Sequence, residues 1–298
     1  LLGIIANILN IMVLSRHTFK ETTTVLLLSL SVNDLLCSVT QPFRRLQCFF
    51  EQFDPLTALT VRSISVVFLF NIPDVFVSIS ICHTTAIAVE RVVAVCFPFQ
   101  VSRIFTPYRV KWMIAFLYVY SISLMSPIFS LQDFVWIYDA RYNATRGGYV
   151  LSRFYTDHID DLNRYASAGL SNLFTTSTLA TILICSVIIC AKLMVGRQKE
   201  LVKFSTGSNN QVRDTRVVKM LLTVCVVTFC VSLPTAVINF YILYSNTPLL
   251  SRGKVYYLLR SVICCLYQFN TSINFIIYVT LSSKFSQTYR KLIGCRNK

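Results

Sequence analysis

The sequence predicts an all-α membrane protein: a bundle of seven transmembrane helices followed by a short amphipathic C-terminal helix. Three observations carry that expectation. Of 298 residues, 54% are hydrophobic and only 14% are charged, where a soluble domain has about 25% charged residues. The mean hydropathy is +0.60. The apolar residues fall into long runs separated by short polar loops, and about 20 residues of helix cross roughly 30 Å of hydrocarbon.

The runs predict spans over about 1–15, 22–43, 63–96, 110–132, 165–195, 215–245 and 255–282, and an amphipathic helix over about 283–294. The chain is read as one domain, residues 1–298. The first span, "LLGIIANILNIMVL", opens inside its apolar run and reads as truncated at the N-terminus. The second carries one charge, Asp34, in "SLSVNDLL". The third is apolar from Ser63 to Val89 apart from Asp74. It ends on Glu90 and Arg91 and stops short of Pro98, because the residue before a proline avoids the helical region. The fourth contains Trp112, and the fifth follows Arg164. The sixth contains Pro234. In the seventh, Asn270 and Asn274 lie four apart and therefore share a helix face. Beyond it, Phe285, Tyr289 and Leu292 form one face beside Lys284, Arg290 and Lys291, the pattern of an interfacial helix lying on lipid. Cys295 at its end is a candidate palmitoylation site.

Each run is too long for a strand, and no alternating ten-residue pattern recurs, which argues against a β-barrel. The net charge of +15 comes from basic loops rather than from a nucleic-acid surface. Most of it lies before spans two, four and six and in the tail. That side is expected to be cytoplasmic and the N-terminus extracellular. The sequon Asn143-Ala144-Thr145 then falls outside, where glycosylation occurs. A second, Asn270-Thr271-Ser272, lies within a span and is expected to be unmodified. No phosphate-binding glycine loop, nucleophile elbow or zinc spacing is present, and His17, His83 and His158 are scattered. An enzyme is not expected.

Polar groups inside spans mark function by default. Asp34, Ser80, Asn270 and Asn274 would make an oxygen cage for a small hard cation. They would equally serve as an interhelical hydrogen-bond cluster that only holds the bundle together. Asp74 offers three readings: a partner for an amine ligand, a partner for a basic group on a peptide, or an internal ion pair with an outer-end arginine.

Taken in order, "GIIANILNIMVL", "LSLSVNDLL", "AVERVVAVCFPF", Trp112, Pro234 and "NFIIY" resemble the rhodopsin-like family of G-protein-coupled receptors over essentially the whole chain. "NTSINFIIYVTLSSKF" and "CFPF" look most like invertebrate neuropeptide receptors of the FMRFamide-receptor-like group. The resemblance implies a multi-pass plasma-membrane receptor for an extracellular peptide or small molecule. Its cytoplasmic partners would be a heterotrimeric G protein and arrestin. It implies an allosteric sodium ion at Asp34, Ser80, Asn270 and Asn274, with Asn7 linked to them. It makes Arg91 the residue that meets the G protein and Glu90 its restraint. Asp214 would be a second lock or merely a loop acid, and Tyr278 a tyrosine that swings inward on activation. Asp74, Ser232, Asn239, Tyr267 and Gln268 are candidate pocket residues.

The sequence also departs from that pattern. Val66 stands where the family has the span-three cysteine, so the usual disulfide to the second outer loop cannot form. Cys48 would need a partner in a preceding segment. Ser232 replaces the aromatic toggle before Pro234, Phe275 replaces a proline, and no proline lies between 165 and 191. Gln268 stands where photoreceptors carry their lysine. These departures leave a divergent chemosensory or non-signalling receptor as the alternative. From another class, a transporter or channel remains, with Asp34 as its one deep carboxylate.

Overall fold

The computed structural model describes residues 1–17, 21–170, 172–202, 209–244 and 254–294. Its long helices are α1 (Leu2–Leu14), α2 (Thr22–Thr40), α3 (Ile72–Cys96), α4 (Pro107–Met125), α5 (Ser177–Val202), α6 (Asn209–Tyr244), α7 (Lys254–Leu281) and α8 (Ser283–Leu292). Among the described residues five helical stretches are long and apolar enough to cross a membrane. They are Thr22–Arg45, Pro55–Cys96, Pro107–Ser130, Ile159–Lys192 and Ser261–Leu281. The shorter apolar helices Leu2–Leu14 and Leu222–Ile238 lie in the first and sixth expected spans.

The third helical stretch begins at Pro55 rather than at 63. Asp54 caps it, accepting from the N–H groups of Leu56 (3.0 Å) and Thr57 (3.1 Å), and Pro55 occupies its first turn. At 42 residues it would be about 60 Å long, twice the hydrocarbon thickness, so its first part stands outside the bilayer. A π-helical turn, Ser65–Leu69, separates this projecting part from α3. The fifth stretch likewise contains π-helical turns, Tyr165–Leu170 and Asn172–Thr176. A locally widened helix thus stands where a proline was absent from the sequence.

Residues 133–164, expected only as a loop, contain a hairpin. Strand β1 (Gln132–Asp139) pairs antiparallel with β2 (Ala144–Leu151), with Asp139 opposite Ala144. Arg141 and Arg146 clamp the Asp139 carboxylate (2.9 and 2.8 Å) and hold its pKa well below the usual carboxylate range.

At the end of the bundle opposite this hairpin, Val13, Leu26, Leu30, Ile87, Val110, Ile277 and Tyr278 form one packed cluster that α8 closes through Phe285. Ser282 caps α8, and the Phe285 ring meets those of Tyr278 at 5.7 Å and Phe275 at 6.1 Å. Lys284 pairs with Glu21, and Thr288 with His17. Burial there pushes the His17 pKa down, with Lys284 adding to the effect. Toward the hairpin end, Cys37, Val77, Ile81, Val231 and Tyr267 form a second cluster. The Trp112 ring meets that of Tyr108 at 6.3 Å, and the residue is 63% exposed. Tyr118 and Tyr120 are α4 aromatics turned inward, the first with its ring 5.7 Å from that of the fully buried His83 and the second 6.3 Å from that of Phe174. The Ile79 carbonyl can only accept, so His83 Nδ1 donates to it (2.9 Å) and Nε2 accepts from Ser29 (2.9 Å).

Candidate functional site

The polar residues singled out in the spans sit at three depths. At mid-depth Asp34 is fully buried. Its Oδ1 accepts from Ser80 Oγ (2.8 Å) and its Oδ2 from Asn274 Nδ2 (3.0 Å). Helices α2, α3 and α7 therefore meet at one carboxylate. Asn274 Oδ1, on the same amide, has no hydrogen-bond partner among the described residues, and neither has the buried Tyr278 hydroxyl four residues further along α7. Asn270 is turned to α6, where its Oδ1 accepts from Thr228 (3.4 Å). Asn7 donates to the carbonyls of Gly3 (2.9 Å) and Thr271 (3.0 Å), fixing α1 to α7. Among the described residues Asp34 makes no ion pair and no group of three His, Cys, Asp or Glu side chains is found. The donor set is one carboxylate with neutral hydroxyl and amide oxygens. Such a set suits a hard monovalent ion better than a transition metal.

At the end away from the hairpin, Glu90 is 1% exposed. The Arg91 guanidinium pairs with both Glu90 carboxylate oxygens. It also rests against the Thr23 hydroxyl. Thr22 (3.1 Å) and Thr23 (3.3 Å) donate to Glu90 Oε1. The restraint on Arg91 thus includes the first turn of α2, which the sequence reading missed. The available signal was three consecutive threonines opening a span on the same side as Glu90 and Arg91. Asp214 lies on α6, but its side chain is outside the described residues. Tyr278 is buried between the α7 core and Phe285.

Toward the hairpin end, Asp74 is paired with Arg44, Oδ1 to Nη2 at 2.6 Å. That pair is the internal arginine partner that the sequence offered as one reading of Asp74. Arg44 closes the turn at the hairpin end of α2, Gln41–Arg45, and its side chain is only 6% exposed. Its Nη1 donates to Cys264 Sγ (3.1 Å) on α7, and its guanidinium stacks 5.1 Å over the Phe70 ring. Nε has no partner among the described residues. Arg44 therefore ties α2, α3 and α7 together, as Asp34 does at mid-depth. Tyr267 and Ser232 are buried nearby. Gln268 donates to Ser38 (2.8 Å). Gly3 faces this contact, and a Cβ there would strike Gln268, Ser38 and Ser272. The side chain of Asn239 and the whole of Cys295 lie outside the described residues.

Asn143 sits exposed in the hairpin turn at φ 47°, its Oδ1 accepting from the Tyr138 hydroxyl (2.5 Å). Asn270 of the other sequon is buried in α7. All ten described cysteines are free, Cys48 among them, and Val66 lies in the π-helical turn.

The model of the family described as "7 transmembrane receptor (rhodopsin family)" matches residues 6–278, from α1 through Tyr278. No curated protein matches the chain. Members of that family are non-enzymatic, multi-pass plasma-membrane receptors that pass the binding of an extracellular ligand to heterotrimeric G proteins. With its helical bundle and this match over most of its length, the chain belongs to the rhodopsin family of seven-transmembrane receptors.

Proposed function

We propose that this receptor recognises an extracellular peptide, a neuropeptide, and that Arg91 delivers the signal to the G protein. The hairpin end would face outward and the Arg91 end the cytoplasm, in line with the Lys/Arg bias and the exposed Asn143 sequon. The observation that carries the reading is the buried Glu90–Arg91 pair, held by Thr22 and Thr23 at the end of α3. A partly buried arginine whose buried counter-charge is its neighbour is stable while paired and costly when freed. Moving α6 away would let Arg91 leave Glu90 for acceptors on a partner helix. Ligand and G protein would then bias the same two-state element from opposite ends. Arrestin would use the same opened face. The amphipathic α8, with Cys295 beyond it, would rest on lipid.

Ligand chemistry is argued from Arg44 and Asp74. The pair is neutral as a whole, so an ammonium would face like charge at Arg44 and a carboxylate would face like charge at Asp74. A peptide carboxamide presents an acceptor and a donor side by side and meets the pair without stranding either charge. At mid-depth, Asp34, Ser80 and the unpartnered oxygen of Asn274 would hold a sodium ion, with Asn270 beside them. The ion would supply the counter-charge Asp34 lacks and would favour the resting packing of α2, α3 and α7.

The test is a panel of amidated peptides, their free acids and amines on the full-length receptor in cells, with G-protein activation as readout. Arg91→Ala at the cell surface is the control. An amidated peptide should activate the wild type, and Arg91→Ala should bind it and fail to signal. A second reading, a divergent chemosensory or non-signalling receptor, is favoured by Ser232, a small buried residue where the family places an aromatic toggle. Specific binding without nucleotide exchange in the wild type would decide for it.

A further inference from the structure

We propose that a hydrogen-bonded latch of Thr60, Ser63 and Gly147 fixes the β-hairpin to the projecting start of the third helix. In this chain the latch would do the work of the disulfide that Val66 rules out. The inference rests on the family assignment and is independent of the ligand class.

Thr60 and Ser63 lie three apart on the helix Pro55–Ile64, and so on one face. Both reach the same residue of β2. Gly147 N–H donates to Thr60 Oγ1 (3.0 Å), and Ser63 Oγ donates to the Gly147 carbonyl (3.1 Å). Gly147 stands opposite Trp136 in the ladder, yet both its backbone groups serve the helix, so they point off the free edge of the hairpin. An unpaired strand edge has to be satisfied somewhere, and the latch does this at its centre. A two-stranded hairpin is marginal by itself, so its order depends on docking.

The approach requires glycine. A Cβ at Gly147 would come within 2.8 Å of the Phe134 ring and 2.9 Å of Thr60 Cγ2. Phe134 in turn packs edge-on against Trp136 (5.4 Å) and reaches Phe68 of the π-helical turn (6.5 Å). The base of the hairpin is fastened separately, by Ser152 Oγ to the Ser130 carbonyl (2.5 Å). Ser63 is three residues before Val66, so the polar latch and the missing covalent link fall within one helical turn. Thr60, Ser63 and Gly147 are therefore positioning residues for the loop between spans four and five.

Hydrogen exchange read by mass spectrometry on the full-length receptor in lipid nanodiscs tests this. Wild type should protect residues 132–151, and reductant should leave that protection unchanged. Thr60→Val should speed exchange there roughly tenfold, and adding Ser63→Ala should speed it further. Exchange in α3 should not change, and Thr60→Ser should restore wild-type rates. Two results would overturn the proposal: reductant alone exposing the wild-type hairpin, which would mean a covalent tether, or a double variant exchanging at the wild-type rate. The reductant arm needs no substitution, so a variant that fails to fold does not remove the test.

Discussion

Asp34 and Asp74 are both aspartates in spans, and the protein treats them differently. Asp34 is fully buried and held by two neutral donors, Ser80 and Asn274. Asp74 is 31% exposed and held by a buried arginine, Arg44. Burying a carboxylate with only neutral partners is costly, and the cost falls when a mobile cation joins it. A carboxylate with a built-in guanidinium has its countercharge permanently. The first arrangement responds to what the solution supplies. The second holds three helices together and is expected to change only when a ligand competes for it.

Three experiments break or sharpen that contrast, the largest expected effect first. Arg44→Ala should destabilise the receptor by about 2–3 kcal/mol in a thermal-unfolding assay. That is somewhat below the cost of breaking a fully buried pair, because Asp74 reaches water. Arg44→Met combined with Asp74→Leu should recover most of the loss. If the single and double variants are equally unstable, the pair is not what joins α2 to α3.

At mid-depth, replacing choline chloride by sodium chloride should stabilise the wild type by about 1–2 kcal/mol, as ligation of the folded state requires. Asp34→Asn should give the same melting temperature in both salts. A wild type indifferent to sodium would leave Asp34, Ser80 and Asn274 as a hydrogen-bond cluster only.

Arg91 extends the comparison, since its partner Glu90 is as buried as Asp34 while carrying a guanidinium as Asp74 does. Thr23→Val should weaken the resting clamp by about 0.5–1.5 kcal/mol. Basal nucleotide exchange should then rise by a factor of about 2–10, and Thr23→Ser should stay near wild type. Unchanged basal exchange in Thr23→Val would show that Thr23 only packs beside Arg91.

Much of this was legible in the order of residues. Long apolar runs leave little choice but membrane helices, because no other open backbone satisfies its own hydrogen bonds in hydrocarbon. Asp34, Ser80 and Asn274 stood out as polar groups where polar groups are expensive, and the structure joins them. Asn270 shares the helix face of Asn274 and yet turns to Thr228. Helical spacing gives a face, while the neighbour comes from the angle at which α6 crosses. Trp112 drew notice as one of the residues that carry the family resemblance and lies exposed, whereas Tyr118 meets His83. Composition cannot tell which side of a uniformly apolar helix faces lipid and which faces protein.

The sequence by itself determined the class of the protein, its succession of apolar segments, the adjacency of Glu90 and Arg91, and the amphipathic face of α8. Each follows from local hydrophobicity or from a spacing of a few residues. Only the tertiary structure decided that Arg44 reaches Asp74 and Cys264, that Thr22 and Thr23 hold Glu90, and that Gly147 docks on Thr60 and Ser63. Those partners are tens to hundreds of residues apart. Their pairing is set by how helices pack, and no local property of the chain encodes it.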